Sequence, residues 1–189
     1  MSFTIPNILT FFRLVAAPII AMVLLLDLGD LGYTVALSIF VIAALTDYLD
    51  GYLARILNQS TALGKVLDPI ADKAMIIITL CFLQYGLDNY TAKIIFGVPA
   101  TLIIFREVFI SGLREFIGPK SNLLSVTVLS KWKTALQMLS VGVLLAGNLT
   151  FLNFLYLKII GLLLLWLAAI CTVITGVDYF KKVVSELKG

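Results

Sequence analysis

Apolar residues run through this chain in six long stretches, at roughly 8–26, 33–53, 69–86, 92–113, 127–147 and 154–177. Each approaches or exceeds the roughly 20 residues that an α-helix needs to cross the hydrocarbon core of a bilayer. The breaks are short and rich in turn formers: Asp27 to Gly32, Asn58 to Gly64, Gly86 to Asn89, Gly118 to Asn122 and Gly147 to Asn153. The pattern predicts an all-α integral membrane protein with six transmembrane helices. At the start, Ser2 to Arg13 mixes Phe3, Ile5, Ile8 and Leu9 with Asn7, Thr10 and Arg13. That mixture predicts a short N-terminal helix lying in the membrane interface. Pro6 suits an early helical position, where its missing N–H matters little. No repeat, low-complexity tract or linker divides the sequence, so residues 1–189 are expected to form a single transmembrane domain.

Composition points the same way. Apolar residues make up 61% of the chain and charged residues 13%, against about 45–50% and about 25% in a soluble domain. A small water-soluble globule has too much surface for so few charges. The net charge of +3 is too small to argue for nucleic acid, and no nucleic-acid partner is expected. Cys81 and Cys171 both fall in apolar runs and read as small apolar residues rather than a disulfide. Histidine is absent from the sequence, so proton transfer near neutral pH must use carboxylate, lysine, tyrosine or water. The N-terminus lacks the basic n-region and small-residue cleavage pattern of a signal peptide.

The placement of charge orients the spans, because cytoplasmic loops collect lysine and arginine. With the N-terminus inside, the inner ends hold Arg13, Arg55, Lys65, Lys73, Arg106, Arg114, Lys120, Lys131, Lys133, Lys181, Lys182 and Lys188. Of the 14 basic residues, only Lys93 and Lys158 then lie outside. Both termini and the 54–68 and 114–133 loops are therefore expected in the cytoplasm. The protein is expected to be a multi-pass protein of the cell (plasma) membrane with its active site on the cytoplasmic side.

Charges at a membrane edge are expensive and usually functional. Asp47 and Asp50 end the second span, and Asp68 and Asp72 begin the third. Spacings of three and four put each pair on one helix face. The two spans are consecutive and joined by a short loop, so they are expected to be neighbours in space. Four facing carboxylates repel strongly unless cations compensate them. The donors are all oxygen, which favours two divalent cations, Mg²⁺ or Mn²⁺, over zinc. Taken singly, each aspartate has a plainer reading. Asp68 before Pro69 has the form of an N-cap, and Arg55 and Lys73 are available ion-pair partners. Gly51, Ala54 and Gly64 beside the acids permit close approach of a ligand or of another helix.

Read together, Asp47 to Asp72 is D-Y-L-D-G-Y-L-A-R, eight residues, then G-K-V-L-D-P-I-A-D. This resembles the signature of the CDP-alcohol phosphatidyltransferases, D-x2-D-G-x2-A-R-x8-G-x3-D-x3-D, at every fixed position. The resemblance implies transfer of a lipid phosphate from a CDP-activated lipid, CDP-diacylglycerol, to an alcohol, with CMP leaving. It implies that Asp47, Asp50, Asp68 and Asp72 bind the two metal ions and that Asp72 is also the catalytic general base. It implies that Gly51, Ala54, Arg55 and Gly64 lie along the donor. The segment P-N-I-L-T-F-F-R resembles the family's nucleotide-proximal segment, which gives Asn7 and Thr10 contact with cytidine. A homodimer within the lipid bilayer is also implied.

For the acceptor, the candidates are cytosolic and basic: Arg106, Arg114, Lys131 and Lys133, with Thr134 as a hydroxyl donor. The segment F-R-E-V-F-I-S-G-L-R-E, followed by S-K-W-K-T-A-L-Q, is similar to the branch of the family that takes glycerol 3-phosphate. Arginine suits a phosphorylated acceptor because it grips phosphate through two N–H groups. Glu107 and Glu115 are placed to hold the arginines. The plainer reading is that these cations obey the inside bias and reach toward lipid headgroups. Phosphatidylglycerol, serine and an inositol phosphate are alternative acceptors. From a different class, a cation transporter would also place acids in apolar helices, although such sites usually sit nearer the bilayer midplane.

Overall fold

The computed structural model describes residues 5–56, 62–118, 128–150 and 155–188, which fold as helices with no strand among them. The helices are α1 (Ile5–Leu25), α2 (Asp30–Ile56), α3 (Ala62–Tyr85), α4 (Tyr90–Ile117), α5 (Val128–Gly147) and α6 (Leu155–Lys188). Four of them, α1, α2, α4 and α6, contain stretches long and apolar enough to cross a membrane. The more polar pair, α3 and α5, carry Asp68, Asp72 and Lys73 on one and Lys131 and Lys133 on the other.

The helix ends follow from local chemistry. Asp27 (φ 46°) and Gly29 (φ 57°) form the left-handed turn between α1 and α2. Asn89 caps α4 by accepting from the Thr91 N–H at 2.9 Å. Gly118, at φ 57°, closes α4 by donating its N–H to the Arg114 carbonyl. At the same end of the bundle as the α1–α2 turn, Asp30 accepts from both the backbone N–H (2.9 Å) and the hydroxyl of Thr150. That contact ties the start of α2 to the turn after α5.

The core is apolar, with Ile20, Met75, Ile103 and Leu165 fully buried, but it also holds charged and polar side chains, and the surface is far more apolar than that of a water-soluble globule. Arg13, Thr79, Arg106, Glu107, Lys133 and Gln137 are buried, whereas Phe105, Phe116, Leu163 and Trp132 are exposed. Helices satisfy their own backbone groups, which is what a hydrocarbon surrounding demands. α5 and α6 form the most intimate pair. A Cβ on Gly161 would stand 2.7 Å from Leu144 Cγ, and one on Gly147 would stand 3.0 Å from the Lys158 backbone nitrogen. α4 packs on α6, while α5 reaches α2 and α3.

Three expectations are corrected. The N-terminal segment is not a separate short helix among the described residues. α1 runs unbroken from Ile5 to Leu25, because nothing between Pro6 and Ala17 interrupts helical geometry. Among the described residues α2 and α3, though consecutive, scarcely touch: α1 packs extensively against both. Finally, α3 begins at Ala62 and runs through Pro69, so Asp68 lies inside the helix and is not its cap.

Candidate active site

Asn7, Thr10 and Arg13 recur at three-residue intervals and are all buried on α1, on the stripe that faces α2 and α3. Arg13 is 0% exposed. Its Nη1 donates to both Asp47 on α2 and Asp72 on α3. Its Nη2 lies 3.5 Å from Asp68 Oδ1. The Thr10 hydroxyl donates to that same Asp68 oxygen at 2.5 Å. The intercalated helix thus links carboxylates that the sequence was expected to bring together directly. Asp47, Asp68 and Asp72 keep 34%, 43% and 27% of their side-chain surface accessible, so the cluster is open on one side.

The side chains of Asp50, Ala54, Arg55 and Lys131 lie outside the described residues, as does residue 120 altogether. Gly51 is placed only as part of the α2 backbone, and Gly64 is buried on α3. Among the described residues, no three acidic, histidine or cysteine side chains are spaced to hold a metal ion as they stand. Lys73, one of the partners considered for the aspartates, donates to Ser111 on α4.

Beside the cluster is a cavity of about 340 Å³. Asp72, Lys73, Arg106, Glu107, Arg114, Lys133, Thr134 and Gln137 form its polar lining, and Pro69, Ile76 and Ile110 its apolar part. Of the expected acceptor residues, Arg106, Arg114, Lys133 and Thr134 therefore share one space, with Asp72 on its wall. Four cations face two carboxylates there, an electropositive balance suited to an anion. Glu107 accepts from Lys133 Nζ and, at 3.2 Å, from Arg106 Nη1. Arg106 also reaches Thr175 on α6 at 3.4 Å, and Arg114 lies 5.4 Å from the centroid of the Tyr179 ring. Gln137 donates its amide to Thr172 at 2.9 Å.

A family model for CDP-alcohol phosphatidyltransferases matches residues 3–174. The chain belongs to this family. It is 41% identical to the CDP-diacylglycerol–glycerol-3-phosphate 3-phosphatidyltransferase of Cereibacter sphaeroides, across 100% of this chain and 99% of that one. The enzyme of the same name from Rickettsia bellii is 38% identical over 94% of this chain and 93% of its own. The Arabidopsis thaliana protein of that name, numbered 2, is 36% identical over 95% and 79%. Membership of the CDP-alcohol phosphatidyltransferases makes the chain a transferase and leaves the cation-transporter alternative without support.

Sequence reasoning passed over some residues of this CDP-alcohol phosphatidyltransferase site. In the sequence Arg13 reads as an inside charge and as a member of the nucleotide-proximal segment P-N-I-L-T-F-F-R, with no role toward the acids. The signal was present: it is the one charge within α1, spaced three and six residues after Thr10 and Asn7. Lys73 was read as a partner for the acids, and Gln137 and Ser111 drew no comment. Their common signal is polarity within otherwise apolar helices.

Proposed function

We propose that this CDP-alcohol phosphatidyltransferase transfers the phosphatidyl group of CDP-diacylglycerol to sn-glycerol 3-phosphate, giving phosphatidylglycerophosphate and CMP. One observation carries the reading: Asp72 belongs both to the aspartate cluster and to the wall of the four-cation cavity. A group that takes a proton from an acceptor hydroxyl needs to stand between the donor's phosphates and the acceptor. The names of the relatives support glycerol 3-phosphate as that acceptor.

The residues divide the work as follows. Asp47, Asp50, Asp68 and Asp72 would hold two divalent cations, Mg²⁺ or Mn²⁺, which when bound supply charge stabilisation at the reacting phosphates. The donor set fits: Asp47, Asp68 and Asp72 converge, each keeps part of its surface accessible, and every donor atom is oxygen. Arg13 ties Asp47 and Asp72 together across α1. Asn7, Thr10, Gly51, Ala54, Arg55 and Gly64 line the path of the CDP-lipid. Arg106, Arg114, Lys131 and Lys133, with Thr134, receive the acceptor's phosphate, so that its hydroxyl points at Asp72. Asp72 takes the hydroxyl proton. The freed oxygen forms a bond to the lipid-side phosphorus, and the bond from that phosphorus to the oxygen of CMP breaks in line with it. No covalent enzyme intermediate is needed.

The same reading places all six helices across the plasma membrane as one domain, with both termini and the site in the cytoplasm. The basic residues gathered at one end of the bundle support that orientation. The lengths of α3 and α5, 24 and 20 residues, support their spanning as well. Pairing into a homodimer follows from the family resemblance.

The test is CMP release by purified protein supplied with CDP-diacylglycerol, Mg²⁺ or Mn²⁺, and a panel of acceptors. Glycerol 3-phosphate should be turned over with the highest kcat/KM. A strong preference for serine or another unphosphorylated alcohol would defeat the assignment.

A further inference from the structure

Three walls of the cavity come from α3, α4 and α5. Among the described residues α4 and α5 each pack closely on α6, which fixes their backbones, whereas α3 packs only sparsely on either. The side chains of Lys73 on α3, Arg106 on α4 and Lys133 on α5 are then positioned within that frame by polar links. Those links run through one buried residue. Glu107, 6% exposed, accepts from both Lys133 and Arg106 on its single Oε1. Its backbone carbonyl accepts from the Ser111 hydroxyl at 2.6 Å, and Ser111 in turn accepts from Lys73.

We propose that Glu107 is a positioning residue for acceptor recognition: its carboxylate sets the spacing of Arg106 and Lys133, beside which Ser111 holds Lys73, so that together they fit a phosphomonoester. This rests on the reading of the cavity as the acceptor site. A buried charge with one partner would need only one cation to be compensated. Glu107 has two side-chain partners, and the Ser111 link recruits a third cation without using its charge. The cations retain donors for a ligand. Lysine has three N–H groups and arginine five, and the buried Arg106 Nε has no hydrogen-bond partner among the described residues. Shared contact with one carboxylate oxygen draws Arg106 and Lys133 together, where two tetrahedral phosphate oxygens can engage them at once. Without that anion, two like charges across a gap would separate.

The test is steady-state kinetics on the full chain, with inorganic phosphate as a competitive probe of the phosphate site. Glu107→Gln should raise KM for glycerol 3-phosphate about tenfold, leave kcat within about threefold, and leave KM for CDP-diacylglycerol unchanged. The inhibition constant of inorganic phosphate should rise in the same proportion. Glu107→Asp, which keeps the charge, should recover much of the loss, whereas a merely structural role would not be rescued selectively in KM. Ser111→Ala releases only Lys73 and should raise the same KM by about threefold. Should Glu107→Gln fail to fold, Glu107→Asp decides the matter, because its shorter side chain should still raise the same KM by about threefold. Unchanged KM and phosphate inhibition in folded Glu107→Gln, or in Glu107→Asp where the glutamine variant does not fold, would overturn the proposal. So would a loss confined to kcat. Failure of the wild-type protein to use glycerol 3-phosphate would instead overturn the acceptor assignment itself.

Discussion

Arg13 lies at the point where three carboxylates from two helices meet, and its charge lowers their mutual repulsion. Removing one partner of a buried ion pair typically costs about 3–5 kcal/mol, since the other charge is left uncompensated. Arg13→Gln should therefore lower the melting temperature in detergent by several degrees. Added Mg²⁺ or Mn²⁺ should recover more stability in the variant than in the wild type, because ions that bind the folded state supply the missing charge. Equal recovery in both proteins would mean that Arg13 and the cations do not act on the same carboxylates. Asp72→Asn differs in kind. It leaves Arg13 with Asp47 and Asp68, so folding should change little, whereas turnover should fall by about 10²–10⁴, the usual contribution of a general base. Measuring CMP release and melting temperature on one preparation separates the two effects. The aspartates were legible in the sequence because their spacings of three and four mark shared helix faces. Arg13 stands out locally as the one charge in α1, but its partners were not legible, because they lie 34 and 59 residues away and no local spacing points to them.

At the scale of elements, the stretches of apolar residues located all six helices, yet the observed helices run past the apolar limits. α6 extends to Lys188, because its charged last turns remain good helix formers even though they are too polar for a bilayer core. Which helices would be neighbours was less legible. Chain adjacency favoured α2 against α3, but α1 carries the polar stripe of Asn7, Thr10 and Arg13, and burying that stripe between the two acidic helices gives Thr10 and Arg13 carboxylate partners. A second inter-helix contact yields a prediction. α6 passes so close to α4 that a Cβ on Gly176 would stand 2.9 Å from Arg106 Cγ. That atom is in the stem of the side chain, so the whole guanidinium must shift to make room. Alanine is the better helix former by about 1 kcal/mol, which leaves the displaced arginine as the source of any loss. Gly176→Ala should raise KM for glycerol 3-phosphate several-fold while sparing KM for CDP-diacylglycerol. Acceptor kinetics that match the wild type would remove Arg106 from the phosphate site.

For the molecule as a whole, the proposed orientation and the proposed site rest on the same charges. Asp72, Lys73 and Lys133 come from the N-terminal halves of α3 and α5, and Arg106 and Arg114 from the C-terminal half of α4, and those halves coincide only if the three helices alternate in direction. The opposite end holds Asp30 bound to Thr150, along with Lys93 and Lys158. α6, at 34 residues, is roughly 50 Å long and exceeds a hydrocarbon core of about 30 Å. The basic Lys181, Lys182 and Lys188 mark its C-terminal end as the overhang. The proposed orientation then makes a prediction that labelling can decide. Cys81 and Cys171 are free, so a background with both replaced by alanine is used. A cysteine at exposed Ser185 should react with a membrane-impermeant maleimide only when the cytoplasmic face is accessible, as in inverted vesicles. One at exposed Asp88, in the α3–α4 turn, should react from the outside of intact cells. The reverse pattern would put the cationic cavity outside the cell, away from any cytoplasmic pool of phosphorylated acceptor, and the proposed reaction would lose its substrate.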